Sequence, residues 1–277
     1  MSNKNKKPRK LSTPRPFGLH SIIPTGTGTF AHQELWITLA NDDLQNRYRG
    51  SFLGPLWLTI ATGVLIAGIG VLYGGLLGQP LASYLPYIAI SIVVWTLIAT
   101  VLVEAAVLFI GEGLVLKQMP VPASLFVTRL LYRNILISAH NFLIVLIVLL
   151  IYPPQIGWSY LAIPLGFVIL IINLWWISVM ISVLGARFRD IPPIITSVLQ
   201  ILFFLTPIIW RAEDLPDRLI FFQLNPFYHL IEIIRVPVMS NQVPWESLTI
   251  CAIAAIIGSL AALHLLAWSR TRLIYWL

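Results

Sequence analysis

Two short arginine motifs hold most of the chemistry open to this chain. In Arg47-Tyr48-Arg49 and in Arg187-Phe188-Arg189-Asp190, two guanidinium groups stand two residues apart beside an apolar stretch. A guanidinium is planar, always charged and forked, so an arginine held at a membrane surface can bind phosphate through two hydrogen bonds at once. Arg47 and Arg49 are therefore candidates for a lipid pyrophosphate, with plain anchoring at a membrane face as the competing reading. No catalytic residue and no metal site are expected. The sequence has no His-Glu-x-x-His, no Gly-x-Ser-x-Gly and no Cys/His cluster with metal spacing. Nor does it contain a Gly-x-x-x-x-Gly-Lys-Ser/Thr loop, so any ATP must be bound by a partner. Glu104, His140 and His264 fall inside apolar stretches, where an ionisable side chain at a helix centre costs ~2.5 to 3.5 kcal/mol. Glu104 sits near the end of its stretch, which leaves a structural ion pair and a functional role both open. Three such residues are too few for a proton relay.

The elements that position these residues are set by composition. Of 277 residues, 58% are hydrophobic and only 10% charged, whereas a soluble domain carries roughly a quarter. Cys251 is the single cysteine, which excludes an intrachain disulfide. Segments 51–77, 86–110, 135–151, 160–186, 191–210 and 247–268 meet or approach the ~20 apolar residues that cross a bilayer. Fifteen of the eighteen basic residues lie before the first segment, between the second and third, between the fourth and fifth, and after the last. By the positive-inside rule those regions, including both termini, face the cytoplasm. The net charge of +7 therefore sits in loops and reads as topology; no nucleic-acid partner is expected.

The expected fold is an all-α membrane protein of six transmembrane helices, with an N-terminal amphipathic interface helix and short re-entrant gate helices before the last span. Residues 1–30, rich in Lys, Pro, Thr and Gly, read as a disordered basic cytoplasmic tail. Over 31–50, Trp36, Ala40, Leu44 and Tyr48 recur every four residues, which predicts the interface helix. Residues 51–277 form the membrane domain. Two short pieces, 215–224 and 227–234, flank Asn225-Pro226 and are too short to span. Aromatic residues occur at several depths, among them Trp57, Tyr73, Trp95, Phe203, Phe204 and Trp210, with Phe221, Phe222, Phe227 and Tyr228 in the two pieces. Their rings suit a sugar chain sliding past, although packing is the ordinary role of each one.

Taken together, three runs resemble the membrane subunit of ABC-2 type exporters, in the group that exports O-antigen, capsular polysaccharide and teichoic acid. They are Arg47-Tyr-Arg-Gly-Ser-Phe-Leu-Gly-Pro-Leu-Trp57, Leu184-Gly-Ala-Arg-Phe-Arg-Asp-Ile191 and Leu224-Asn-Pro-Phe-Tyr-His229. The resemblance extends from about Trp36 to the C terminus and leaves the basic tail without an account. It implies a homodimer with two copies of a separate ABC ATPase, which would hold ATP and Mg while this chain carries no cofactor. The cargo would be an undecaprenyl-pyrophosphate-linked glycan crossing a bacterial cytoplasmic, or inner, membrane among its lipids. Trp36, Asp42, Asp43, Glu112, Lys117, Arg187, Arg189 and Asp190 would couple to the ATPase, and the aromatics would form channel and gate. Spans one and five would line the channel and meet their dimer mates. A small lipid or drug as cargo, a lipid-modifying membrane enzyme and a structural scaffold are the rival readings.

Overall fold

The structure, a computed structural model, describes residues 33–52, 54, 56–118, 121–211 and 223–277. The tail expected over 1–30 and most of the first outer piece, with Phe221 and Phe222, lie outside these residues. All regular structure among the described residues is helical. In hydrocarbon no water is available to pair with backbone N–H and C=O groups, and a helix satisfies them within one segment.

In chain order the helices are α1 (Gln33–Tyr48), α2 (Leu56–Leu76), α3 (Leu81–Gly111), α4 (Gly113–Gln118) and α5 (Ala123–Ile151). A 3-10 turn (Trp158–Leu161) leads into α6 (Ala162–Arg187), followed by α7 (Ile191–Leu205), α8 (Pro226–Met239), α9 (Trp245–Ser269) and α10 (Leu273–Trp276). Prolines open several of them. Pro80 and Pro122 cap α3 and α5, and the first turns of α7 and α8 each contain proline, whose missing N–H costs nothing there. The tight α2–α3 connection passes through Gly78 at φ +63°, a left-handed conformation that glycine adopts without penalty.

The helix α3 forms the axis of the bundle. Eighteen of its residues are buried, whereas α2 buries only Ile66, Gly70 and Gly74, half-buries Leu58, Thr59, Thr62, Gly63 and Ile69, and exposes the rest. Helix α6 packs against α3 so closely that a methyl group added at Gly185 would stand 2.1 Å from the Ala106 carbonyl oxygen. Ser182 Oγ also donates to the Ala105 oxygen at 2.8 Å. On its other side α6 meets α9, where Asn173 Nδ2 donates to the Cys251 oxygen at 3.0 Å.

Among the described residues, five helical segments are long and apolar enough to cross a membrane: α2, α3, α5, α6 with its leading turn, and α9. The remaining expected span, 191–210, differs from the reading of the sequence. Its helix stops after 15 residues, about 22 Å at 1.5 Å per residue, short of the ~30 Å of a hydrocarbon core. Pro207 is the cause: it disfavours helical backbone at the preceding residue, and Thr206 is accordingly extended at φ −90°, ψ 135°.

Non-helical residues 206–211 continue from α7 to the first turns of α3, where side chains satisfy the freed carbonyls. Tyr84 donates to the Ile209 oxygen at 2.5 Å, and Tyr87 donates to the oxygens of Pro207 and Trp210 at 2.9 Å each. Arg211 closes the elbow on Ser83 at 3.2 Å. The short helices α4 and α10 pack together at the end of the bundle where α3, α6 and α9 finish, near α1 on the first turns of α5. That basic end carries Arg47, Arg129, Arg187 and Arg272; the opposite end holds α8.

Candidate functional site

At the basic end, three helices converge on a set of charged side chains. Arg129 of α5 donates through Nε and Nη2 to both carboxylate oxygens of Asp43 on α1, at 2.7 and 2.5 Å. Its Nη1 reaches Glu112, just past the end of α3, at 3.3 Å. One turn further along α5, Arg133 donates to Glu104 of α3 at 2.6 Å and to Asp43 at 3.3 Å. Glu104 also accepts from Asn134 at 2.7 Å and from Arg47 of α1 at 3.3 Å. Three arginines thus meet three carboxylates, and the set is electrically neutral.

Within this latch Arg47 gives one N–H to Glu104 at 3.3 Å, and its side chain stays 41% exposed. Arg49 is exposed and has no ion-pair partner among the described residues. The latch also explains why α1 departs from a simple apolar stripe. Asp43 and Arg47 fall on the same helix face as Trp36 and Ala40, so α1 is clamped by ions as well as by the edge contact of Trp36 with Tyr132 at 5.4 Å. Of the other proposed coupling residues, Asp42, Lys117, Arg189 and Asp190 are exposed at this end, and Arg187 lies over the rings of Phe188 and Trp276.

A second feature is a groove of about 270 Å³ between α3 and α7. Trp95 and Phe203 form its wall with ring centroids 5.9 Å apart, and Phe204, 70% exposed, stands at its lip. Thr196 and Gln200 add a hydroxyl and an amide to an otherwise apolar lining. The structure does not bring all the expected aromatics here. Trp57 and Tyr73 point outward from α2, Trp210 is half-buried in the elbow, Phe227 packs edge-on against Trp95 at 6.0 Å, and Tyr228 meets the edge of His229 at 5.3 Å.

At the opposite end α8 is buried over most of its surface, from His229 to Val238. Asn225 caps it, accepting from the Phe227 N–H at 3.0 Å while donating to Thr206 at 2.8 Å. His229 is held between Ser247 and the Gln223 oxygen. Within α8, Arg235 pairs with Glu232 and donates to Ser91 at 2.8 Å and to the Pro207 oxygen at 2.6 Å. The Tyr87 ring lies beneath its guanidinium at 4.2 Å. Burial is the largest single influence on Arg235 and opposes its charge; the Glu232 carboxylate paired with it acts the other way, and the net shift of its pKa is upward. Sequence reading did not single out Glu232 and Arg235. Their i,i+3 spacing inside an apolar run was the signal available.

These groups can hold helices together, present aromatic faces and attract phosphate. Among the described residues no set of three His, Cys, Asp or Glu side chains is placed to bind a metal ion.

Comparison with known proteins agrees with this architecture. Residues 34–239 match the family description "ABC-2 type transporter". The chain is 23% identical over 240 residues to the O-antigen export system permease protein RfbA of Klebsiella pneumoniae, covering 84% of this chain and 90% of that one. It is 21% identical over 230 residues to the protein of the same name from Myxococcus xanthus, with 82% and 88% covered. The match spans α1 through α8, so this chain belongs to the ABC-2 type transporter family.

Proposed function

We propose that this chain is the membrane subunit of an ATP-driven exporter that moves an undecaprenyl-pyrophosphate-linked, O-antigen-like glycan out across a bacterial cytoplasmic membrane. It works as a pair of identical copies with two copies of an ABC ATPase, which binds the ATP and Mg. The basic end faces the cytoplasm with both chain ends, as the distribution of arginines and lysines favours. The helix α7 and the elbow 206–211 together make the sixth crossing. Broken helices of this kind are tolerated at membrane depth where protein buries them or they line a cavity.

The observation that carries this reading is the groove between α3 and α7. Aromatic faces at Trp95, Phe203 and Phe204 suit the C–H faces of sugar rings, while Thr196 and Gln200 offer hydrogen bonds to hydroxyls. In the dimer, the outward faces of α2 and α7 line a common passage. The helix α8 and the segment before it gate the outer mouth. The latch among Asp43, Glu104 and Arg133 links α1 to α3 and α5, so motion imposed on α1 by the ATPase reaches the spans.

The test is reconstitution of the chain with its ATPase in sealed vesicles supplied with lipid-linked glycan. The expected result is ATP-dependent transfer of glycan across the bilayer and glycan-stimulated ATP hydrolysis. Transfer of a small lipid or drug without transfer of glycan would replace this cargo, and no transfer of either would overturn the reading.

A further inference from the structure

Not all arginines at the basic end are neutralised. Arg47, Arg129 and Arg133 are balanced by Asp43, Glu104 and Glu112, whereas Arg187 and Arg272 rest on aromatic rings. The Arg187 guanidinium carbon lies 5.1 Å from the Phe188 ring centroid and 5.2 Å from that of Trp276. The Arg272 carbon lies 4.1 Å above Trp268. Trp268 and Trp276 are themselves 6.0 Å apart, which joins the two cations through one aromatic platform. Neither arginine forms an ion pair among the described residues; Asp190, three positions from Arg187, is exposed and does not pair with it.

We propose that Arg187 and Arg272, mounted on Trp276 and Trp268, form a recognition site for the phosphate of an anionic lipid headgroup. A ring contacts the face of a guanidinium, while hydrogen bonds leave from its edge in the same plane. Stacking therefore fixes the orientation of the fork and keeps its N–H donors available. A carboxylate partner does the opposite by consuming those donors. The platform is itself anchored: Leu273 is buried, Trp268 and Trp276 are half-buried, and Leu277 lies against Gly113 of α4. Tryptophans at the end of membrane helices sit at headgroup level, the depth at which lipid phosphates occur. Arg189 and Arg270, both exposed nearby in sequence, add to the positive field.

Two lipids supply this chemistry: a bulk anionic phospholipid and the pyrophosphate-linked cargo. In the second case the site deepens the proposed function and rests on it. The experiment uses the full chain in phosphatidylcholine nanodiscs, titrated separately with phosphatidylglycerol and with undecaprenyl pyrophosphate, with bound lipid counted by native mass spectrometry. The Arg187→Ala/Arg272→Ala double variant is expected to weaken binding of at least one lipid about tenfold, the value of one charge-assisted hydrogen bond. The Arg187→Lys/Arg272→Lys variant should recover only part of this, because an ammonium lacks the stacked fork. Loss confined to undecaprenyl pyrophosphate assigns the site to the cargo, and equal loss for both lipids assigns it to anionic lipid in general. Unchanged binding of both lipids in the double variant would overturn the proposal. Should the double variant fail to fold, the single variants Arg187→Gln and Arg272→Gln are read by the same criteria. Lipid binding lost in the variant, with no glycan export by the unmodified chain, would leave this site standing and refute the proposed function. Glycan export with unchanged lipid binding in the variant would refute this site alone.

Discussion

Arg133 of α5 donates to Glu104 of α3 at 2.6 Å, and this contact fixes the centre of the basic end. Because the same guanidinium also reaches Asp43 of α1, one side chain ties together the helix that lies outside the bundle, the axis of the bundle and the helix beside it. A rigid link of this kind is what a permease needs if force applied at α1 is to move its spans.

Replacing Glu104 with Gln keeps the shape but removes the carboxylate that Arg47, Arg133 and Asn134 share. With both Arg133 and Glu104 roughly three-quarters buried, the expected cost is about 1–3 kcal/mol of stability. Thermal unfolding in detergent measures it. Arg49→Ala, at an exposed residue outside the latch, should stay within about 0.5 kcal/mol. Equal effects of the two substitutions would contradict the latch.

Arg235→Ala strands the Glu232 carboxylate inside α8 and removes donors from Ser91 and the Pro207 oxygen. The expected loss is about 3–5 kcal/mol. Removing both charges with Arg235→Met and Glu232→Leu should cost less than the single change, since no unpaired charge remains. A double-mutant cycle of unfolding midpoints decides this, and additive effects would refute the coupling.

The approach of α6 to α3 at Gly185 leaves no room for a side chain. Gly185→Ala would force its methyl group against a backbone carbonyl that cannot rotate away, so the helices must separate at a cost of about 1–3 kcal/mol or more. Gly111→Ala, which meets nothing within 4 Å, provides the control and should be neutral or slightly stabilising. Folded yield and unfolding temperature of the two variants report the difference.

In the groove, Phe204→Ala removes a ring that is mostly exposed and contributes little to the fold of one chain. Export should fall roughly three- to tenfold through lost stacking, with the amount of assembled protein unchanged. Gln200→Leu should act in the same direction by removing the amide. Normal surface glycan in both variants would show that cargo does not contact this groove.

Much of the architecture was legible in composition. The scarcity of charge and the length of the apolar runs determine an all-helical membrane protein, because a chain in hydrocarbon must satisfy its backbone locally. The placement of arginines and lysines determines which ends of the helices lie together, and the three motif runs point to the ABC-2 family. Other features needed the tertiary structure. Arg47 and Arg187 look alike in the sequence, each two residues from a second arginine and beside an apolar segment. Only the fold brings Glu104, fifty-seven positions away, to one of them and Trp276 to the other. Likewise Pro207 marks a helix end, but nothing local predicts that Tyr84, Tyr87 and Arg235 supply the missing donors. Backbone periodicity is a local property and can be read along the chain. Whether a charge is neutralised or available depends on which distant side chain is packed beside it.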